Sequence, residues 1–131
     1  DMSNVIKKIS DSKNDKIFVT ERGVSFGYNS LISDMRSLSI MKKNNYPVIF
    51  DATHSVQQPG GQGNSSGGER EYIYDLSKSA ISIGIAGLFL EVHDDPDNAP
   101  SDGPNMLKIN DLELFLSKIK KIDQLIKNDK L

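Results

Sequence analysis

Short apolar runs alternate with longer segments of helical periodicity along this chain. The runs at 17–20, 47–50 and 87–90 each predict a strand. Because the connections between them are long enough to hold helices, they predict parallel pairing, whereas antiparallel hairpins need only short turns. None of the runs alternates apolar with polar residues, so we expect both faces of each strand to be buried. The pattern therefore predicts an α/β fold.

Apolar residues spaced three and four apart predict four helices. The first covers 2–12, and the second runs from Leu31 to about Lys43. The third covers 72–83 and stops at Gly84, and the last begins at an Asn110 cap. The order is thus one helix followed by three strand–helix units. Since the chain opens on a helix, we expect it to be the later part of something longer.

Polar side chains follow the second and third strands. His54, Glu91 and Asp102 lie at the strand ends or in the loops beyond them, where ligand groups gather on parallel sheets and barrels. One imidazole and two carboxylates suit a divalent metal ion that keeps an open coordination position. Two other interpretations stay open. His54 can be a structural hydrogen bonder, and His54, Glu91 and His93 together resemble the ligand triad of non-haem iron enzymes.

A glycine-rich loop at 59–68 separates the second strand from the third helix. Five of its ten residues are glycine, so it can bend sharply and turn backbone N–H groups and hydroxyls toward an anion. It lacks the lysine of a P-loop and the third glycine of a dinucleotide-binding loop. A loop of this length favours a lid or binding loop, and a flexible connector without a ligand is the alternative.

Two further polar residues lie near the same strand ends. Arg22 follows the first strand directly, so its planar fork can clamp a phosphate or carboxylate. The alternative is a salt bridge to Glu21 or Asp51. Gln57 can hydrogen-bond a substrate or only the glycine-rich loop. The residues alone do not choose between these roles.

Composition narrows the class of protein. The 131 residues fit one domain, and 16 basic against 18 acidic side chains give a net charge of −2. No overall basic field is present to gather nucleic acid or an anionic membrane. The sequence shows neither an apolar stretch long enough for a membrane span nor a signal peptide at its start, so we expect a cytoplasmic protein. The absence of cysteine excludes thiolate chemistry from these residues.

Four segments match a known family in the right order. They are ERGVSFGYN (21–29), FDATHSVQ (50–57), GLFLEVH (87–93) and SDGPN (101–105). Together they closely resemble 3-deoxy-D-manno-octulosonate 8-phosphate (KDO 8-phosphate) synthase over essentially the whole chain. The resemblance implies a transferase that condenses phosphoenolpyruvate with D-arabinose 5-phosphate and water, releasing phosphate and forming a sugar acid of lipopolysaccharide. It also implies a homotetramer.

The same resemblance implies a (β/α)8 TIM barrel, which takes about 250 residues. Residues 1–131 would form a partial barrel domain that contains its sixth, seventh and eighth strands and lacks the N-terminal half. We expect such a fragment to be inactive alone.

The resemblance also assigns roles to single residues. His54, Glu91 and Asp102 match metal ligands, and we expect His54 and Asp102 to be catalytic. Arg22 would bind the phosphate of phosphoenolpyruvate and Ser66 that of the sugar, with Gln57 as a further substrate contact. The fourth ligand of the metal-dependent branch is a cysteine upstream, and the metal-free branch has asparagine there. Ala52, Ser101 and the Pro-Gly-Gly at 59–61 favour the metal-dependent branch.

Two alternative functions follow from the same residues. One is a related phosphoenolpyruvate–aldose condensing enzyme, 3-deoxy-D-arabino-heptulosonate 7-phosphate synthase. The other is a non-catalytic half-barrel that binds sugar phosphates.

Overall fold

The computed structural model describes residues 2–60 and 67–128. Its helices are α1 (Met2–Ser10), α2 (Met35–Lys42), α3 (Ile73–Ser82) and α4 (Ile109–Asn128). The strands are β1 (Val19–Glu21), β2 (Val24–Ser25), β3 (Leu31–Ile32), β4 (Val48–Asp51), β5 (Gln57–Gln58), β6 (Gly67–Gly68), β7 (Gly87–Phe89), β8 (Val92–His93) and β9 (Leu107–Lys108). Four short 3-10 turns cover His54–Val56, Arg70–Tyr72, Pro96–Asn98 and Gly103–Asn105.

A three-stranded parallel sheet in the order β1-β4-β7 is the centre of the fold. Val19 pairs with Val48, and Ile49 pairs with Gly87. Helices α2 and α3 make the two connections between these strands. The predicted α/β class and parallel pairing are therefore confirmed. Because the strands are parallel, their carboxyl ends meet at one edge of the sheet, and this edge positions the site.

Burial within the sheet differs from the sequence prediction. The central strand β4 is largely buried, with Phe50 fully inaccessible, whereas Phe89 on β7 is 47% exposed. Thr20 on β1 is exposed as well, so the expectation that all three strands bury both faces is wrong for the two outer ones. The physical reason is that an outer strand has a sheet neighbour on one side only, so one flank of its side chains lies open.

The core lies between the sheet and its helices. Leu38 of α2 and Ala80 of α3 are both fully buried, and they join a cluster with Val48 and Phe50 of β4. Helix α3 packs against α2 and α4, where the ring of Tyr74 meets Phe115 edge-on at 5.6 Å. This packing fixes α2 and α3 against the strands that they connect.

The second helix begins later than its periodicity predicts. Leu31 and Ile32 form β3, which pairs with β2 in an antiparallel hairpin. Asp34 has extended backbone angles, and its carboxylate accepts a bond from the Arg36 N–H at 3.0 Å. Asp34 is thus the N-cap of α2 rather than a residue within it. Apolar spacing cannot distinguish a hairpin strand from a first helical turn, and the cap decides the boundary.

Other boundaries shift by a few residues. Helix α1 ends at Ser10 instead of residue 12, and β1 covers 19–21 instead of 17–20. Helix α4 starts at Ile109, so Asn110 lies in its first turn and is not its cap. Gly84 ends the α3 segment with a φ of +73°, as predicted for a C-terminal glycine.

Within the part of the chain that the structure describes, none of the helices combines the length and apolar character that crossing a lipid bilayer requires.

Candidate active site

The strand ends of β4 and β7 are tied together beyond their last ladder pair. The Ala52 N–H donates to the Phe89 carbonyl at 3.1 Å. The next residue, Thr53, is fully buried, and its hydroxyl accepts a bond from the Glu91 N–H at 3.1 Å. Glu91 therefore lies beside the turn that follows β4, although it is 37 positions after His54 in the sequence.

Asp51, the last residue of β4, orients His54. One carboxylate oxygen of Asp51 accepts from the His54 backbone N–H at 3.0 Å, and the other lies 2.8 Å from His54 Nδ1. Against a carboxylate, Nδ1 must carry the proton. In the neutral ring Nε2 then presents a lone pair. The ring also stacks on Phe89, with centroids 5.9 Å apart.

The three residues predicted as metal ligands lie close together. His54, Glu91 and Asp102 each place one potential ligand atom within 4.8 Å of the other two. Glu91 Oε2 lies 3.1 Å from His54 Nε2, yet this buried oxygen has no hydrogen-bond partner. Since Nε2 and Oε2 both offer lone pairs, a cation between them would satisfy both atoms. The donor set of one imidazole and two carboxylates therefore fits a divalent metal ion.

The support behind His54 is of the kind that metal sites use. A carboxylate that holds the distal imidazole nitrogen fixes the ring's tautomer and direction and raises its basicity as a ligand. Asp51 is itself buried and takes a further bond from the Thr53 hydroxyl at 3.1 Å. Neither residue is among the predicted site residues. The position of Asp51 at a strand end, three residues before the histidine, was the signal in the sequence.

Asp102, the third residue of the set, has a left-handed backbone conformation. Its φ of 54° and ψ of 12° precede the 3-10 turn Gly103–Asn105. Gln57 donates from its side-chain amide to the Asp102 carboxylate at 2.6 Å. The amide oxygen of Gln57 in turn accepts from the Arg22 guanidinium at 3.1 Å. The structure thus brings Arg22, Gln57 and Asp102 together as one hydrogen-bonded chain.

The alternative salt bridges of Arg22 are not formed. Glu21 accepts from the Gly23 N–H at 2.6 Å and from the Ser37 hydroxyl at 2.8 Å instead. Asp51 is occupied by Thr53 and His54. Among the described residues, Arg22 uses one guanidinium nitrogen for the Gln57 bond, and a guanidinium has five N–H donors in all.

His93 does not join the set. It lies on β8, which pairs with β9 rather than with the central sheet, and its Nδ1 accepts from the Asp95 N–H at 2.9 Å. Among residues 2–60 and 67–128, the group able to hold a metal ion contains His54, Glu91 and Asp102, without His93. The alternative triad with His93 is therefore wrong, because the chain changes sheets after Glu91.

The glycine-rich loop is described only at its two ends. Gly67 and Gly68 pair antiparallel with Gln58 and Gln57, which brings the C-terminal end of the loop next to the site. Ser66 and the other residues at 61–66 lie outside the described residues, so the expected role of Ser66 stays a prediction.

The sequence matches the family model described as the DAHP synthetase I family over residues 1–128. The chain belongs to that family. This agrees with the parallel strands and the polar edge described above, and it confirms the resemblance on which the sequence predictions rest.

Relatives within the DAHP synthetase I family carry a more specific name. A 2-dehydro-3-deoxyphosphooctonate aldolase of Rickettsia prowazekii (strain Madrid E) is 62% identical over 127 residues, which are 97% of this chain and 46% of the relative. Proteins of the same name from Brucella ovis and Bartonella quintana are 58% and 59% identical over the same shares. The chain therefore spans about half the length of the curated relatives it matches.

Proposed function

We propose that this chain is the catalytic part of a KDO 8-phosphate synthase. In this proposal the native protein condenses phosphoenolpyruvate with D-arabinose 5-phosphate and water and releases phosphate. The observation that carries it is the convergence of His54, Glu91 and Asp102 within 4.8 Å at the carboxyl edge of the sheet. The identity to relatives named 2-dehydro-3-deoxyphosphooctonate aldolase supports the choice of product.

The three converging groups are proposed to hold a divalent metal ion. Such an ion would supply a fixed positive charge that polarises an aldehyde oxygen or a water molecule. His54 and Asp102 are proposed as catalytic residues, because each offers a ligand atom to this metal position. Asp51 and Thr53 hold His54 and Glu91 in that geometry before substrate arrives, which preorganises the site.

Arg22 is proposed to bind the phosphate of phosphoenolpyruvate. Its guanidinium is oriented by the 3.1 Å bond to Gln57 and has further donors to offer, and a planar fork suits a phosphate. Gln57 connects this anion site to Asp102 through hydrogen bonds. In this proposal it also contacts the substrates. Ser66, in the glycine-rich loop, is proposed to hold the phosphate of the sugar.

The surrounding assembly is also part of the proposal. The sheet β1-β4-β7 and its helices would be the later portion of a (β/α)8 barrel, with 1–131 as a partial domain. Exposed strand flanks such as that of Phe89 support this, since a closed barrel would cover them. The native protein is proposed to be a cytoplasmic homotetramer that serves lipopolysaccharide synthesis.

Phosphate release by the native protein tests the proposal. Release from phosphoenolpyruvate should require arabinose 5-phosphate, and His54→Ala should lower kcat by a factor of about 10² or more. His93→Ala is the matched control, because that imidazole lies outside the set, and it should retain activity. Equal turnover of His54→Ala and wild type, or release without the sugar, would refute the assignment.

Metal use is tested separately on the same protein. Chelation should abolish activity and a divalent ion should restore it, with about one ion bound per active site by mass spectrometry. Full activity of the chelated protein would place it in the metal-free branch and leave the condensation itself intact.

A second candidate is the heptulosonate synthase for which the matched family model is named. It uses the same phosphoenolpyruvate chemistry with a shorter sugar, erythrose 4-phosphate. A higher kcat/KM with erythrose 4-phosphate than with arabinose 5-phosphate would favour this candidate.

A further inference from the structure

Arg70 joins two turns that flank the candidate active site. It begins the 3-10 turn Arg70–Tyr72, two residues after β6. One nitrogen of its guanidinium donates to the Gly103 carbonyl at 2.5 Å and to the Asp97 carboxylate at 2.9 Å. The side chain is 27% exposed, and its Nε is buried without a hydrogen-bond partner among residues 2–60 and 67–128. The Arg70 guanidinium is thus held by these protein contacts more than by solvent.

The Gly103 carbonyl belongs to the turn that aims Asp102. Asp102 has a φ of 54°, in the left-handed region that is uncommon for residues other than glycine, although Asp and Asn adopt it more readily than most. Two backbone bonds stabilise the turn, from the Asn105 N–H to the Asp102 carbonyl at 3.0 Å and from the Met106 N–H to the Gly103 carbonyl at 3.2 Å. Both bonds lie within the turn, so they fix its shape without fixing its place in the fold.

Close packing on two sides limits the conformations that the Gly103–Asn105 turn can adopt. A Cβ added to Gly103 would lie 2.2 Å from the Pro96 carbonyl oxygen. A Cβ added to Gly68 would lie 2.9 Å from that of Asn105. The turn therefore lies between the Pro96–Asn98 turn and β6, and the Arg70 side chain bonds both to this turn, at Gly103, and to Asp97 of the Pro96–Asn98 turn.

The ion pair with Asp97 is the weaker of the two contacts of Arg70. The Asp97 side chain is 63% exposed, although the hydrogen bond from Arg70 lowers the pKa of its carboxyl. An exposed pair of this kind contributes little. The bond to Gly103 is the more protected one.

We propose that Arg70 is a positioning residue that holds the Asp102 carboxylate in place through the Gly103 carbonyl. It does not contact the reacting groups. This proposal rests on the proposed function in so far as Asp102 is taken as a metal ligand. It assigns a role to the Arg70–Tyr72 turn, which follows the glycine-rich loop and to which the proposed function gives no role: this turn anchors the Asp102 turn from outside.

Divalent-ion affinity of the native apoprotein tests this, with Co²⁺ as the probe and its visible spectrum as the readout. Arg70→Met should weaken Co²⁺ binding by a factor of about 10 or more, the range seen for residues behind metal ligands. Asp97→Asn is the matched control, since it removes the ion pair and keeps the Gly103 bond, and it should change affinity less than about twofold. Arg70→Lys, which can still donate to Gly103, should lie between the two.

A second readout keeps the test independent of the metal. Hydrogen exchange over residues 99–106 should become faster in Arg70→Met and Arg70→Lys, and stay unchanged in Asp97→Asn. If the wild type binds no Co²⁺, the metal proposal fails, and the Arg70 proposal is decided by this exchange and by kcat. Wild-type exchange and kcat in a folded Arg70 variant would overturn it, as would equal effects of Asp97→Asn and Arg70→Met. If Arg70→Met does not fold, Arg70→Lys carries the same comparison.

Discussion

Thr53 offers the sharpest test of how the fold supports the site. Its hydroxyl donates to Asp51 at 3.1 Å and accepts from the Glu91 N–H at 3.1 Å, and the residue is fully buried. The substitution Thr53→Val keeps the shape and removes both bonds. One hydroxyl thus connects the groups that carry the imidazole and the second carboxylate, and its loss should affect stability and the site together.

The magnitude follows from the two lost bonds. A buried amide left without a partner costs about 1–3 kcal/mol, and a lost bond to a charged group costs about 1.5–3 kcal/mol. Because the Glu91 N–H is only half-buried, water restores part of the first amount. We therefore expect Thr53→Val to lower the free energy of unfolding by about 2–3 kcal/mol. Thr53→Ser keeps the hydroxyl and loses one methyl group, so it should cost about 1 kcal/mol.

Urea unfolding of the native protein measures both variants, and metal titration of the folded proteins gives the second readout. Thr53→Val should unfold at lower urea than Thr53→Ser and bind a divalent ion more weakly. If the two variants are equally stable, the loss comes from packing rather than from hydrogen bonds, and the reasoning is refuted.

Three further predictions concern the frame around the site. Leu38→Ala should lower the free energy of unfolding by about 2–5 kcal/mol because it opens a cavity in the core. Ile40 lies on the same helix with its side chain 60% exposed, so Ile40→Ala should change that free energy by no more than about 0.5 kcal/mol in the same urea assay. Gly84→Ala should lower the free energy of unfolding by about 1 kcal/mol because φ is +73° there. Gly87→Ala should lower it less, because the added Cβ meets only an ordinary contact at 3.5 Å. Equal losses in the two variants would contradict the backbone argument. The lowered pKa of Asp97 means that its pair with Arg70 stabilises the protein above the carboxyl's ordinary value of 3.8. That contribution should fade as acid protonates the folded carboxyl, so the Tm difference between wild type and Asp97→Asn should shrink as the pH falls below 3.8. A Tm difference that grew in acid would contradict this reasoning.

The site residues were predictable to the extent that chemistry follows strand ends. His54 and Glu91 follow parallel strands, and any such sheet brings these ends together, so their proximity required no knowledge of side-chain geometry. The support from Asp51 and Thr53 was not predicted, because it depends on a 3-10 turn that directs a side chain back onto its own strand. The role of Arg70 depends on packing between segments 33 residues apart in the sequence.

Local pattern by itself determined the order of the four helices and of the three central strands, the parallel pairing of those strands and the polar character of one sheet edge. These features depend on periodicity and connection length, which are properties of neighbouring residues. Only the tertiary structure decided that His93 leaves the site, that α2 begins after a hairpin, and that Asp102 turns inward from a left-handed backbone. Each of those outcomes is set by contacts between distant segments, and such contacts select among conformations that the local sequence leaves nearly equal in free energy.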